Sequence, residues 1–127
     1  MHLTPQHIQW CEQELEQIVE QSQYLDGAAI CTTDGLGIVV RLPASINPDH
    51  ICAMSSSLFG IAAALQAESQ MDGYKALLVD AQSGKIVITL FKLAGIELLL
   101  VQLGKAAATL GALNVTARGF SEKTAST

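Results

Sequence analysis

The sequence of 127 residues predicts a single α+β domain whose elements follow the order α-β-β-α-β-β-β-α. Helical periodicity begins directly after Pro5 and Pro48, each of which follows a residue suited to a helix N-cap. Five β-rich runs are separated by short turn signals. A five-stranded antiparallel sheet with helices on both faces accommodates these elements. The domain is expected to cover 1–120, and the small polar residues of 121–127 predict a flexible tail.

The first helix is predicted from its cap and its apolar stripe. Thr4 is suited to the N-cap and Pro5 to the first helical position. Apolar residues then recur at helical spacing as far as about Ser22, at Ile8, Cys11, Leu15, Ile18 and Val19. The following stretch, AAICTTDGLGIVVRL, predicts a hairpin with strands over 28–33 and 36–42. Its Asp34-Gly35 pair is typical of a type I′ turn.

The second half of the chain contains a long helix, three strands and a last helix. Asn47-Pro48 predicts a helix over 48–70 by the same pairing of cap and proline. Strands are expected over 74–80 and within KIVITLF and IELLLVQL, with turns at 82–84 and at Ala94-Gly95. From Lys105 onward the pattern becomes helical again.

The long second helix lacks an obvious face for water. Its stretch HICAMSSSLFGIAAALQA contains no Asp, Glu, Lys or Arg, and His50 is its one basic side chain. We expect one stripe to face the sheet, namely Ile51, Met54, Leu58, Ile61 and Leu65. The opposite stripe is small, and it consists of Ala53, Ser57, Gly60, Ala64 and Ala67.

An uncharged helix is usually buried all round, so this small stripe needs a cover. The cover is another part of the same chain, a second copy across a two-fold axis, or a different protein. The second copy is favoured, because the chain has few spare elements and one patch then serves both subunits. A composition of 50% apolar and only 15% charged residues also favours burial in an oligomer.

Several functions are disfavoured by charge and motif. A net charge of −5 with only two arginines, Arg41 and Arg118, argues against nucleic acid as a partner. The Gly-Lys pair in LGKAAAT lacks the remaining residues of a phosphate-binding P-loop, so the chain is not expected to bind GTP itself. His7 and Cys11 have a metal-compatible spacing, but two ligands do not make a structural zinc site. We expect no metal, no cofactor and no catalytic constellation.

The location is expected to be cytoplasmic. Three cysteines without a secretion signal are typical of reduced thiols inside the cell. The uncharged core of the second helix, 51–67, falls just short of a membrane span and contains three consecutive serines. We therefore expect no membrane span.

The chain resembles the roadblock family, which is related to the dynein light chains of that name. The resemblance covers about 8–120. It rests on the element order, on Asp34-Gly35-Leu36 at the first hairpin turn, on Ala53-Met54 in the alanine-rich helix and on Leu110-Gly111 before the last helix. It implies a homodimer through the central helix, 48–70, and the strand 74–80. The implied interface consists of Ala53, Ser57, Gly60, Ala64, Ala67, Tyr74, Ala76 and Leu78.

The resemblance also implies a non-enzymatic regulator or scaffold that binds a small Ras-like GTPase, in some members altering its GTP hydrolysis. The partner is expected to contact the rim of the paired helices at Ser56, Phe59 and Ala63. Neither arginine matches an arginine-finger motif. The alternatives are a light-chain-type adaptor that dimerises larger partners, or a small-molecule sensor, which would need a polar-lined pocket.

Overall fold

The computed structural model describes residues 2–73 and 76–125, and it confirms the predicted order of three helices and five strands. The elements are α1 (Pro5–Gln21), β1 (Leu25–Thr32), β2 (Gly37–Arg41), α2 (Pro48–Glu68), β3 (Leu77–Asp80), β4 (Gly84–Leu93), β5 (Ile96–Lys105) and α3 (Leu110–Ala125). The strands form one sheet in the order β2-β1-β5-β4-β3, and every neighbouring pair is antiparallel. The α+β class with a five-stranded antiparallel sheet is therefore confirmed.

Two helices, α1 and α3, cover one face of the sheet. Cys11 and Leu15 of α1 and Phe120 of α3 are buried there against the side chains of β1, β4 and β5. The Phe120 ring meets Phe91 of β4 edge-on, with ring centroids 4.8 Å apart. The buried Gln102 of β5 donates a hydrogen bond from Nε2 to the backbone carbonyl of Leu113 at 3.1 Å. This face is closed by apolar packing and by a direct tie between β5 and α3.

Among the described residues, α2 is the one helix that covers the other face. Cys52 of α2 lies in a buried cluster with Ala29, Cys31, Ile88 and Val101 of the sheet. All residues of β5 from Leu98 to Gly104 are buried, because this central strand has helices above and below it. That burial on both sides explains why the sequence of β5 alternates only partly between apolar and polar residues.

The first hairpin turn differs from the type I′ turn that its Asp-Gly pair predicts. Gly35 has a φ of +95°, whereas Asp34 is absent from the residues with positive φ. The amide of Gly35 donates to the carbonyl of Thr32, and the amide of Thr32 donates to the carbonyl of Leu36. The loop thus contains three residues, with a single left-handed glycine at its end.

A turn with two positive φ angles is found at the β4–β5 hairpin instead. Ala94 has a φ of +51° and Gly95 a φ of +78°. Leu93 pairs with Ile96, so these two residues form the whole loop. This geometry is that of a type I′ turn, in which the methyl group of Ala94 is disfavoured.

The ends of several elements differ from the sequence-based expectations. β1 begins at Leu25, three residues earlier than expected. β3 begins at Leu77, whereas a strand from 74 was expected; residues 74 and 75, including Tyr74, lie outside the described residues. β5 continues to Lys105, and α3 begins only at Leu110. The expected tail over 121–127 is wrong as far as Ala125, because α3 continues to that residue. There Lys123 Nζ contacts Glu14 Oε2 at 3.0 Å, which anchors the end of α3 to α1.

The first turns of α1 and α2 are capped by side chains. The amide of His7 donates to Thr4 Oγ1, and the amide of Thr4 donates back to His7 Nδ1 at 3.1 Å. Asn47 Oδ1 accepts a hydrogen bond from the amide of His50. The His7 ring is therefore part of a capping box, while Cys11 is fully buried in the core.

Replacing Ala94 by asparagine is expected to raise the free energy of unfolding by about 0.5–1 kcal/mol, because asparagine tolerates a left-handed backbone better than alanine does. Urea denaturation measures the change. Ala94→Val is the control, and it should lower the stability, since a β-branched side chain suits positive φ least. Equal stability of both variants would contradict the type I′ geometry.

Candidate functional site

The helix α2 lies on the sheet through a narrow, mostly small side. Cys52 and Ser55 are its two buried residues. Phe59 is half-buried and packs against the cluster beneath the helix. A Cβ at Gly35 would lie 3.2 Å from Ala53 Cα, and one at Gly37 would lie 3.4 Å from Cys52 Sγ. Glycine in the hairpin therefore lets the start of α2 approach the end of β1 closely.

The large apolar stripe of α2 faces solvent, so its expected burial against the sheet is wrong. The exposed fractions are 57% for Met54, 40% for Leu58, 65% for Ile61 and 66% for Leu65. Only Ile51 of the predicted stripe packs against the sheet cluster. Helical periodicity identifies an apolar stripe. Here, however, the side of α2 with Cys52, Ser55 and Phe59 packs on the sheet, because the first hairpin lies so close to the helix.

The small stripe is exposed as well. Its members are Ala53, Ser57, Gly60, Ala64 and Ala67. Together with Met54, Leu58, Ile61 and Leu65 they form a surface that we call the α2 outer face. It carries no charged side chain, and its two stripes run side by side along the helix.

Ser56 and Phe59 contact the chain's own sheet, although a role in partner binding was expected for both. The Ser56 hydroxyl donates a hydrogen bond to the carbonyl of Thr33, in the first hairpin turn. Ala63, the third residue of that expectation, is exposed. Ser56 and Phe59 thus help to hold α2 in place, and the exposed apolar surface is formed by other residues.

The exposed apolar surface continues from α2 toward the edge strand β3. Met71, which follows the helix, is 66% exposed. It borders an open groove of about 440 Å³ that is also lined by Leu65, Gln66 and Ala76. In β3, Leu78 and Val79 are 40% and 38% exposed, respectively. Within the described residues β3 pairs with β4 on one side only, so its outer edge offers free backbone groups.

Within residues 2–73 and 76–125 no three His, Cys, Asp or Glu side chains are grouped to hold a metal ion. Burial raises the pKa of the Cys11 thiol to about 11. Burial, and then the contact with Cys52, raise the pKa of Cys31 above its ordinary range. Both thiols lie beneath helices, away from the α2 outer face.

In the part of the chain that the structure describes, α2 is the one helix with the length and apolar character of a membrane span. Only 11% of its most apolar window is buried within the protein. Its inner side nevertheless rests on the chain's own sheet, through Cys52, Ser55 and Phe59. Length and composition alone do not distinguish a membrane helix from an interface helix.

The fold is that of a roadblock/LC7 domain. A roadblock/LC7 domain from Streptomyces avermitilis superimposes with a TM-score of 0.77 at 16% identity, covering 88% of this chain and 92% of that one. MglB of Myxococcus xanthus gives a TM-score of 0.81 at 8% identity, covering 96% and 90%. An MglB structure with a tetrameric arrangement gives 0.77 at 15% identity, covering 98% and 90%.

Sequence relatives occur in the archaeon Methanocaldococcus jannaschii. The uncharacterised protein MJ1340 is 31% identical over 105 residues, which cover 83% of this chain and 89% of the relative. The uncharacterised protein MJ0310 is 30% identical over 105 residues, with the same coverage. No protein-family model matches the chain. The protein belongs to one family with these archaeal proteins, and its fold is that of a roadblock domain.

Replacing Ser56 by alanine is expected to lower the free energy of unfolding by about 1 kcal/mol, because the hydrogen bond to Thr33 is lost. Ser45 is an exposed serine outside α2 and provides the control, for which a change within about 0.5 kcal/mol is expected. Urea denaturation of both variants measures the difference. Equal effects would show that Ser56 does not hold α2 to the hairpin.

Proposed function

We propose that the protein is a non-enzymatic homodimeric regulator or scaffold that binds a small Ras-like GTPase. The observation that carries this proposal is the α2 outer face, an uncharged surface along a helix of 21 residues that its own chain leaves open. Exposed apolar patches of this kind mark interaction sites in proteins. The class of partner is inferred from the roadblock fold, because the resemblance of the chain to that family implies a Ras-like GTPase.

The two stripes of the α2 outer face suit contact with a second copy. One stripe is large, with Met54, Leu58, Ile61 and Leu65, and the other is small. About a two-fold axis, the large stripe of one helix packs against the small stripe of its mate, and the reverse contact forms at the same time. Both stripes of each helix are thereby covered. Full burial of one Leu or Ile side chain contributes roughly 1.5–3 kcal/mol of stability. In a symmetric contact each such residue is buried in both subunits, so its contribution counts once for each.

The edge strand β3 extends the proposed interface. Pairing of two β3 strands would satisfy their free backbone groups and cover Ala76 and Leu78, as the family resemblance implies. Tyr74 belongs to the same expectation but lies outside the described residues. The proposed interface therefore joins the small stripe of α2 to the sheet edge, through the groove beside Met71.

A second copy explains the exposed helix better than lipid does. A helix inside a bilayer does not pack one of its sides along a β-sheet. By contrast, α2 is packed on β1 and β2 by Cys52, Ser55 and Phe59. The small residues Ala53, Gly60 and Ala64 allow close approach of another backbone, which lipid does not require. Covering by the same chain is also disfavoured, since α1 and α3 both lie on the opposite face of the sheet.

The proposed GTPase contact involves the rim of the paired helices, including the exposed Ala63. Neither arginine is placed to act as a finger there. Arg41 lies at the end of β2, with Nη2 3.8 Å from Glu16 Oε2 of α1. Arg118 belongs to α3, across the sheet from α2. Any effect on hydrolysis would therefore come from positioning of the GTPase's own residues.

The dimer is tested by Ile61→Glu. Burial of an unpaired carboxylate at the proposed contact is costly, so light scattering should show a change from twice the chain mass of 13.4 kDa to that mass alone. Val115→Glu is the matched control, because Val115 is an aliphatic residue of α3 with the same exposed fraction, 65%. This control should keep the dimer. A monomeric wild-type protein, or a dimeric Ile61→Glu variant, would contradict the interface.

The GTPase is tested by calorimetric titration with a purified Ras-like GTPase from the same organism, loaded with GDP or with a non-hydrolysable GTP analogue. Binding to one nucleotide state is expected to be at least about tenfold tighter, which corresponds to about 1.4 kcal/mol. Val115→Glu should bind like the wild type. Absence of binding in both states would count against the GTPase, whereas state-independent binding with unchanged GTP hydrolysis would favour a light-chain-type adaptor.

A further inference from the structure

Two of the three cysteines lie against each other beneath α2. Cys31 is the seventh residue of β1, and Cys52 is the fifth residue of α2. Their Sγ atoms are 2.6 Å apart, and both residues are completely buried. This distance is much shorter than an ordinary contact between two sulfur atoms and only about 0.5 Å longer than the S–S bond of a disulfide, about 2.05 Å. Both cysteines are free in this structure.

The surrounding contacts hold the two thiols together. Gly37 leaves room for Cys52, since a Cβ there would lie 3.4 Å from its Sγ atom. One turn further along α2, the Ser56 hydroxyl is bound to the carbonyl of Thr33, two residues after Cys31. The close approach of Gly35 to Ala53 fixes the same junction from the other side. The thiols therefore meet through the fold of the backbone, without movement of a loop.

We propose that Cys31 and Cys52 form a reversible intramolecular disulfide, which covalently ties α2 to β1. Cys11 takes no part, because it is buried in the core on the opposite face of the sheet. This inference is independent of the proposed GTPase, since it concerns one chain and its reaction with a small oxidant.

The reaction is balanced with a peroxide as oxidant. The thiolate of one cysteine attacks a peroxide oxygen, the O–O bond breaks, and a sulfenic acid and one water form after proton transfer. The second thiol attacks this sulfenic sulfur and expels another water as the S–S bond forms. Two thiols lose two electrons and two protons in total, and one hydrogen peroxide becomes two waters. A thiol reductant reverses the change by thiol–disulfide exchange.

The closed site makes this oxidation slow in the native state. Burial raises the pKa of Cys31, so that its reactive thiolate is scarce at neutral pH. Both sulfur atoms are also inaccessible until α2 opens locally. The disulfide should therefore form faster in Ser56→Ala, which loses the adjacent hydrogen bond, than in the control Ser45→Ala. Once formed, it closes the chain between 31 and 52 and holds the start of α2 on the sheet.

The test uses the full chain, reduced, desalted and treated with hydrogen peroxide. Thiols counted with Ellman's reagent in denaturant should fall from three to one, and reductant should restore all three. Cleavage after glutamate and after arginine, at Glu20 and Arg41, separates the three cysteines. Peptide 21–41 should then be recovered linked to peptide 42–68 through Cys31 and Cys52. The melting temperature should rise by about 5–10 °C for a closed loop of this size.

Matched variants make the outcome decisive. Cys11→Ala should still lose both remaining thiols together and gain the same thermal shift. Cys31→Ala and Cys52→Ala should show neither the linked peptide nor the shift. The proposal would be overturned if wild-type protein gave only sulfinic or sulfonic acids, disulfides between chains, or a link that includes Cys11. Circular dichroism before treatment identifies any variant that fails to fold, and the wild-type peptide map decides independently of the variants.

Discussion

The structure depends on the close approach of α2 to the first hairpin. Gly35 and Gly37 leave no side chain between the hairpin and the helix. Cys52 therefore meets Cys31 near the end of β1, and Ser56 meets Thr33 in the hairpin turn. This contact decides which side of α2 is turned inward. Because the inner side is small, the larger Met54, Leu58, Ile61 and Leu65 are turned outward. The exposed apolar surface is thus a consequence of how the helix is attached. Within residues 2–73 and 76–125 no second helix lies on this face to cover it.

The order of elements was predictable because each boundary has a local cause. The caps Thr4 and Asn47 and their prolines begin two helices, and Gly35 and Gly95 end hairpin loops. The turn types were less predictable. Asp34-Gly35 has the composition of a type I′ turn, yet Ala94-Gly95 adopts that geometry, because strand register sets the loop length. Near the end of α3, Lys123 contacts Glu14, which is far from it in sequence, so this contact could not be predicted from local signals.

The candidate site was predictable as a helix but not as a surface. A helical wheel ranks faces by size and polarity, and it placed Ile61 and Leu65 inward because large apolar residues usually form the core. The wheel has no information about the distance between helix and sheet, which here favours cysteine and serine. The same limit applies to Ser56 and Phe59, whose contacts with the hairpin and the sheet arise only in three dimensions. The contact between Cys31 and Cys52 could likewise not be predicted from their spacing in the sequence, because they lie 21 residues apart in different elements.

The position of β1 in the sheet has a consequence for synthesis of the chain. β1 lies between β2, which follows it directly, and β5, which ends at Lys105. While the ribosome is still making the second half of the protein, β1 has a partner strand on one side only. The sheet face that α1 and α3 cover in the folded protein still lacks α3. The edge of β1 that pairs with β5 is therefore unpaired until β5 has been made, and an unpaired strand edge is able to pair with another chain.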